Sequence, residues 1–143
     1  MLSGMSVEIK SGAMKKFSKI TLIAALSLFV VAVAFKGWFL YQQRHVCEPK
    51  IRSAVQKFVE GIQAKGYETL DDKSMFIDKR HFQDVKAKIS KSYSLKIKDW
   101  GADFGAYVIL EFNNGVTYAL MLVPLDTSLI SCRTAEYRIL TIR

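Results

Sequence analysis

The sequence predicts an α+β fold: an N-terminal transmembrane helix, then two helices packed on an antiparallel meander of about four strands. An uncharged run begins at Ile20, an apolar stripe with helical spacing begins at Ile51, and a period of two begins at Tyr93. We therefore expect a cytoplasmic tail at 1–19, a transmembrane anchor at 20–41 and an α+β domain at 42–143.

The anchor is predicted by its hydrophobicity and by its flanks. No charged residue lies between Ile20 and Phe35, and with the segment up to Tyr41 the run reaches the ~20 residues that a helix needs to cross a bilayer. Lys36 can extend its stem to the interface, and Trp38 suits the interfacial aromatic belt. Lysines directly ahead of the run favour export of the domain that follows.

The same segment also has the features of a signal peptide. In that interpretation Met14 begins a basic stretch, an apolar region follows, and cleavage occurs after Ala34. Apolar residues resume directly after Ala34, which favours an uncleaved anchor. Both interpretations place the domain in the bacterial periplasm, and the uncleaved one predicts a single-pass inner-membrane protein.

Two amphipathic helices are predicted in the domain. The first opens at Glu48-Pro49 and stops at Gly66, because proline suits the first turn of a helix and glycine suits its C-terminal end. Its apolar stripe consists of Ile51, Ala54, Val55, Phe58, Val59 and Ile62. The second begins near Asp78, a candidate N-cap. Its inward-facing residues are Phe82, Val85 and Ile89. Residues 71–77 receive no assignment.

Four strands are predicted from Tyr93 onward. The first starts there with alternating apolar residues, the next two cover 106–113 and 116–123, and the last covers 136–143. The middle pair flanks Asn114-Gly115, the strongest short signal for a hairpin. If these two residues form the whole turn, Phe112 pairs with Thr117. One face of the hairpin then carries Tyr107, Ile109, Tyr118, Leu120 and Leu122.

This predicted face is the candidate site for a partner or a ligand. In that register both faces of the hairpin are apolar, and the two helices cover only one of them. Large apolar patches are unusual on a lone soluble protein, so the other face needs a cover. Closure of the sheet on itself, a partner protein, or a small lipophilic molecule would each supply one.

The two cysteines, Cys47 and Cys132, stand near the two ends of the domain. In an oxidising compartment we expect them to form a disulfide, and closing a loop of about 85 residues is worth roughly 4–5 kcal/mol in the chain-entropy model. His45 and Cys47 lack the further ligands that a metal site needs, so no metal or cofactor is expected.

Charge and motif content argue against nucleic-acid binding and catalysis. The 21 Lys+Arg and 13 Asp+Glu are dispersed, without the dense basic stripe that phosphate neutralisation requires. The sequence has no nucleophile-elbow, zinc-protease or phosphate-loop motif, so we expect no enzymatic activity. His81 lies three residues from both Asp78 and Asp84, which makes it a candidate pH sensor; the alternative is a solvated surface histidine.

The architecture resembles that of small bacterial inner-membrane proteins that accompany membrane-bound transcription activators, the ToxS, TcpH and PsaF/MyfF type. The resemblance rests on the basic segment "KKFSK", the apolar run at 20–41, and the cysteines Cys47 and Cys132. It implies a regulatory accessory protein that binds and protects the periplasmic part of its activator in virulence regulation, and that relays a signal such as pH or bile. No further functional residue is carried over.

The expected function is therefore a non-enzymatic module that binds the periplasmic domain of another inner-membrane protein. Two alternatives remain open. A structural component of a secretion, pilus or conjugation apparatus would associate with copies of itself. A binding module for a small lipophilic molecule, bile- or lipid-like, would hold a closed apolar pocket between helices and hairpin.

Overall fold

The computed structural model describes residues 10–101, 103–125 and 131–143. The chain divides into two compact units, Met1–Leu40 and Tyr41–Arg143. The first nine residues of the predicted tail lie outside the described residues.

Helix α1 spans Lys10–Tyr41, so helical structure begins before the predicted anchor. An 18-residue window within it has a mean hydropathy of 2.2, and none of that window is buried. Its large apolar side chains are exposed, with Leu28 at 72% as an example. Since a helix rises 1.5 Å per residue, about 20 residues span the ~30 Å hydrocarbon core of a bilayer. The chain thus has one described helix that is long and apolar enough to cross a membrane.

The second unit opens with a π-helix at Gln42–Cys47, which leads into helix α2 at Glu48–Ala64. Helical structure does not start at Glu48-Pro49 as predicted, because Tyr41, Cys47 and Glu48 all have α-helical backbone angles and the π-helix runs into α2 without a break. The predicted apolar stripe is confirmed. Its fully buried members are Ile51, Val55, Val59 and Ile62.

Helix α3 spans Lys79–Lys88 and begins at the predicted N-cap. The Asp78 carboxylate accepts a hydrogen bond from the backbone N–H of His81 at 2.7 Å, which satisfies a free donor of the first turn. Between α2 and α3, the chain forms a 3₁₀ turn at Tyr67–Thr69 and then the irregular segment that received no assignment from the sequence.

Four antiparallel strands form a sheet in the order β1-β2-β3-β4, so the predicted meander is confirmed. The strands are β1 Tyr93–Trp100, β2 Ala106–Phe112, β3 Thr117–Leu125 and β4 Glu136–Ile142. Helices α2 and α3 bury their apolar side chains against one face of this sheet, called here the inner face. The domain therefore has two layers, helices on sheet, around one core.

The predicted register of the hairpin is wrong by one residue. The Phe112 N–H donates to the Val116 carbonyl at 2.9 Å, so the loop contains three residues, Asn113, Asn114 and Gly115. Gly115 has a φ of +80°, the left-handed conformation that closes a three-residue loop with a bulge. Asn114-Gly115 signals a hairpin correctly, but the two residues do not form the whole turn.

This register redistributes the residues predicted to share one face. Val108 pairs with Leu120, and Tyr107 pairs with Met121. Since the side chains of a strand alternate, a shift of one residue moves a whole set to the other face. Tyr118, Leu120 and Leu122 therefore lie on the inner face, where Leu120 and Leu122 are 0% exposed. Tyr107 and Ile109 lie on the opposite face, called here the outer face.

Candidate functional site

The predicted disulfide is present. Cys47 and Cys132 are bonded, their Cα atoms are 5.7 Å apart, and both are fully buried. The bond joins the last residue of the π-helix to the segment that leads into β4. It thereby fixes the start of α2 beside one end of the sheet.

The outer face of the sheet carries a small apolar block. Tyr107 pairs with Met121 and Ile109 pairs with Ala119, so these four residues, called here the outer patch, are neighbours across two strands. Tyr107 is 41% exposed and Met121 is 48% exposed, whereas Ile109 and Ala119 are half-buried by their neighbours. No described helix covers the outer patch, because α2 and α3 both pack on the inner face.

Charged residues border the outer patch on the β1 side. Lys96 lies opposite Ile109, and its Nζ is 3.7 Å from a carboxylate oxygen of Glu111. Such an exposed pair contributes little to stability. An apolar centre with a polar border is the usual anatomy of a protein–protein contact surface.

A second feature is a groove of about 570 Å³ between α2, β4 and the segment 70–76. One wall is a face of α2, and the other is the strand β4 with the residues leading into it. The floor is apolar and includes Phe58, Leu70, Met75, Phe76 and Ile139. The groove is open to solvent and touches the β2–β3 hairpin only at Leu125, so it differs from the closed pocket that a carrier of lipophilic molecules was expected to have.

Ionic and polar contacts join the walls of this groove at two places. At the start of α2, Lys50 donates hydrogen bonds to the carbonyls of Arg133 and Ala135. On β4, Arg138 lies 2.6 Å from Asp72 of the segment 70–76. The Arg138 hydrogen bond, together with bonds from Ser74, lowers the pKa of Asp72 to about 2. Asp72 therefore stays ionised and paired across the neutral pH range.

Tyr137 fixes the strand β4 against the turn between β1 and β2. Its hydroxyl donates to the Phe104 carbonyl at 2.8 Å, and burial raises the pKa of Tyr137, so the phenol stays protonated and keeps this bond. Phe104 has a φ of +61° and is 1% exposed. A buried non-glycine residue in this conformation needs such support from its surroundings.

The candidate pH sensor His81 does not contact the carboxylates expected to act on it. Its Nδ1 accepts a hydrogen bond from the Ile77 N–H at 3.3 Å, and its ring lies 5.8 Å from that of Phe76. The Asp78 carboxylate binds the backbone of His81, and the Asp84 carboxylate pairs with Lys88. Sensing of pH by His81 stays a prediction.

Within residues 10–101, 103–125 and 131–143, no group of three or more His, Cys, Asp and Glu side chains is placed to hold a metal ion. Compared with known proteins, the chain matches no family model, no curated protein and no solved structure. The interpretation therefore depends on the residues themselves.

Sequence reasoning missed Met121 and the groove. A two-residue turn at Asn114-Gly115 would put Met121 on the face opposite Tyr107, and these two residues alone do not encode the loop length that decides this. The groove brings together three segments distant in sequence. One local signal was available: Gly61 lies within α2, about one turn before its C-terminal end, and glycine is a weaker helix former than alanine.

Proposed function

We propose that this protein is a non-enzymatic, single-pass inner-membrane protein whose periplasmic domain binds a second membrane protein and stabilises or regulates it. The observation that carries the proposal is the outer patch: Tyr107 and Met121 are exposed apolar side chains on a sheet face that no described helix covers. Burying them against a partner would be favourable by roughly 25 cal/mol for each Å² of apolar surface removed from water.

Two further observations support this assignment. Helix α1 is long and apolar enough to anchor the chain in a membrane. The disulfide joining Cys47 to Cys132 is typical of domains that fold in an oxidising compartment such as the periplasm. From the architectural resemblance to ToxS-type proteins, we propose that the partner is a membrane-bound transcription activator. Binding would then relay an environmental signal to that activator.

Crosslinking in the native membrane tests the proposal. A photoreactive residue at Met121 is expected to capture a different membrane protein, identified by mass spectrometry. The same residue at Arg80, which is exposed on α3, serves as the control and is expected to capture much less of it. Leu120 and Leu122 are unsuitable positions because both are buried in the core.

Three results at Met121 would contradict the proposal. Capture of copies of this chain would favour a structural component of a secretion, pilus or conjugation apparatus. Capture of lipid or another small amphiphile would favour the binding of a lipophilic molecule. The absence of any adduct would mean that the outer patch does not bind a partner.

A further inference from the structure

The strand β4 has a free edge that faces the groove. In the described sheet it pairs with β3 on one side and with no strand on the other. Tyr137 lies opposite Pro124, which has no N–H, so this pair is of the type that exchanges no hydrogen bonds. The N–H and C=O of Tyr137 therefore point away from β3, and by the two-residue period those of Ile139 do the same.

Helix α2 forms the wall of the groove opposite this edge, and at Gly61 that wall has no side chain. This residue lies within α2 and lines the groove, and a Cβ added to it would meet no described atom within 4 Å. Neither its backbone conformation nor crowding requires glycine there, and glycine weakens a helix by about 1 kcal/mol relative to alanine. Since nothing in the surrounding structure requires glycine at Gly61, its lack of a side chain is suited to the close approach of another backbone in the groove.

The charges on the α2 side of the groove are all positive. Lys50, Lys57 and Lys65 lie along it, and no acidic residue of the described chain lies on that side of the groove. Lys50 binds backbone carbonyls and Lys65 pairs with Asp71, whereas no described carboxylate lies within ion-pair distance of Lys57. Glu136 lines the opposite, β4 wall, so an occupant with a carboxylate facing Lys57 and apolar side chains facing the floor would match the groove.

We propose that the groove between α2 and β4 binds an extended segment of the partner protein as a fifth strand. The segment alternates apolar side chains, directed at the floor, with acidic side chains directed at Lys57. Its backbone pairs with Tyr137 and Ile139, and it passes α2 at Gly61. This inference rests on the proposed function, since the segment belongs to the same partner that covers the outer patch.

The dimensions of the groove fit a short strand. Lys50 and Lys65 are separated by about 22 Å at 1.5 Å per helical residue. A strand of five or six residues spans roughly 17–20 Å at 3.3 Å per residue. A lipid-like molecule could use the apolar floor, but it would leave the N–H and C=O groups of the β4 edge without partners. The free edge is what favours a peptide.

The first test places a photoreactive residue at Lys57 of the full-length chain in its native membrane, and the crosslinked peptide is mapped by mass spectrometry. We expect one segment of the protein that is also captured at Met121, with apolar residues at alternate positions and at least one acidic residue. Capture at Met121 without capture at Lys57 would overturn this inference and leave the proposed function standing. Capture at neither position would overturn both.

The second test uses the mapped segment as a synthetic peptide, with the purified full-length chain in detergent. Gly61→Leu fills the opening with a good helix former, so it should weaken binding about tenfold or more while leaving the fold intact. The control is Gln56→Leu, which introduces the same side chain at an exposed position of α2 outside the groove and should change affinity less than about twofold.

The same binding experiment can test whether the backbone of the peptide pairs with β4. N-methylation of the peptide at residues that face Tyr137 and Ile139 should weaken binding about tenfold, because each lost hydrogen bond leaves a strand group unpaired. Bound peptide should also slow hydrogen exchange at the amides of those two residues. Equal affinity of the Gly61→Leu and Gln56→Leu variants, or capture at Lys57 of lipid or of copies of this chain, would overturn the proposal.

Discussion

The inner and outer faces of the sheet are made from the same strands, yet they have different roles. On β3, Leu120 and Leu122 are 0% exposed beneath the helices, whereas Met121 between them is 48% exposed. The inner face forms the core of the fold, and the outer face presents the side chains that we propose bind a partner. The difference depends on the length of one loop, because a register shift of one position would move each side chain of β3 to the opposite face.

Removing the disulfide should lower the free energy of unfolding more than any other change described below. The bond holds the start of α2 against the sheet whose inner face α2 covers. Replacing Cys132 with Ser opens a loop whose cysteines are 85 residues apart. We expect a loss of about 4–5 kcal/mol in the free energy of unfolding. Urea unfolding of the full-length chain in detergent, with and without reductant, measures it. Reduction should lower the stability of the original chain to that of the variant and leave the variant unchanged.

The two faces can be compared directly with adjacent substitutions. Leu120→Ala should cost about 2–5 kcal/mol of unfolding free energy, because it removes a fully buried side chain and leaves a cavity. Met121→Ala on the outer face should change it by no more than about 0.5 kcal/mol. Equal costs at the two positions, measured by urea unfolding, would mean that the assignment of faces is incorrect.

The loop that sets the register can be tested at its left-handed residue. Gly115 has a φ of +80°, so Gly115→Ala should destabilise the domain by about 1–2 kcal/mol through backbone strain alone. Asn113→Ala, at an exposed position of the same loop, is the control and should have an effect below about 0.5 kcal/mol. If Gly115→Ala leaves the free energy of unfolding unchanged, the turn has a different conformation. The assignment of β3 side chains to the inner and outer faces would then also be different.

The smallest expected effect concerns the ion pair at the edge of the sheet. The pKa of Asp72 is about 2 in the folded chain, below its usual value of 3.8, so ionisation of Asp72 stabilises the fold above pH 4. This contribution is lost as the pH falls from 4 to 2. Because the Arg138 partner is partly exposed, we expect only about 1 kcal/mol.

Asp72→Asn isolates that contribution. The difference in unfolding free energy between the original chain and the variant should be greatest above pH 5 and should vanish only below pH 2, where Asp72 is protonated in both states. A difference that is independent of pH would mean that the Asp72–Arg138 pair does not stabilise the folded domain.

Local patterns in the sequence predicted most of the fold. The apolar stripe of α2, the N-cap at Asp78 and the alternation from Tyr93 onward each specify an element through neighbouring residues, and the structure has all three. The pairing of Cys47 with Cys132 followed because the chain has no other cysteines. The strands follow one another in the sheet in chain order, as a meander requires.

The candidate site was harder to predict because it depends on register and on contacts between distant segments. Asn114-Gly115 is compatible with a loop of two or three residues, and this choice decides whether Leu120 or Met121 faces outward. The groove depends on how closely α2 lies to β4, which no local pattern encodes. Gly61 alone marked it, as an exception to the helical pattern around it.

The central claim is that the outer patch binds a partner without supporting the fold, and one variant tests it most directly. In Met121→Glu, capture of the partner by a photoreactive residue at Tyr107 should fall about tenfold or more. The free energy of unfolding should change by no more than about 0.5 kcal/mol. Undiminished capture, or a loss of several kcal/mol in stability, would contradict the account.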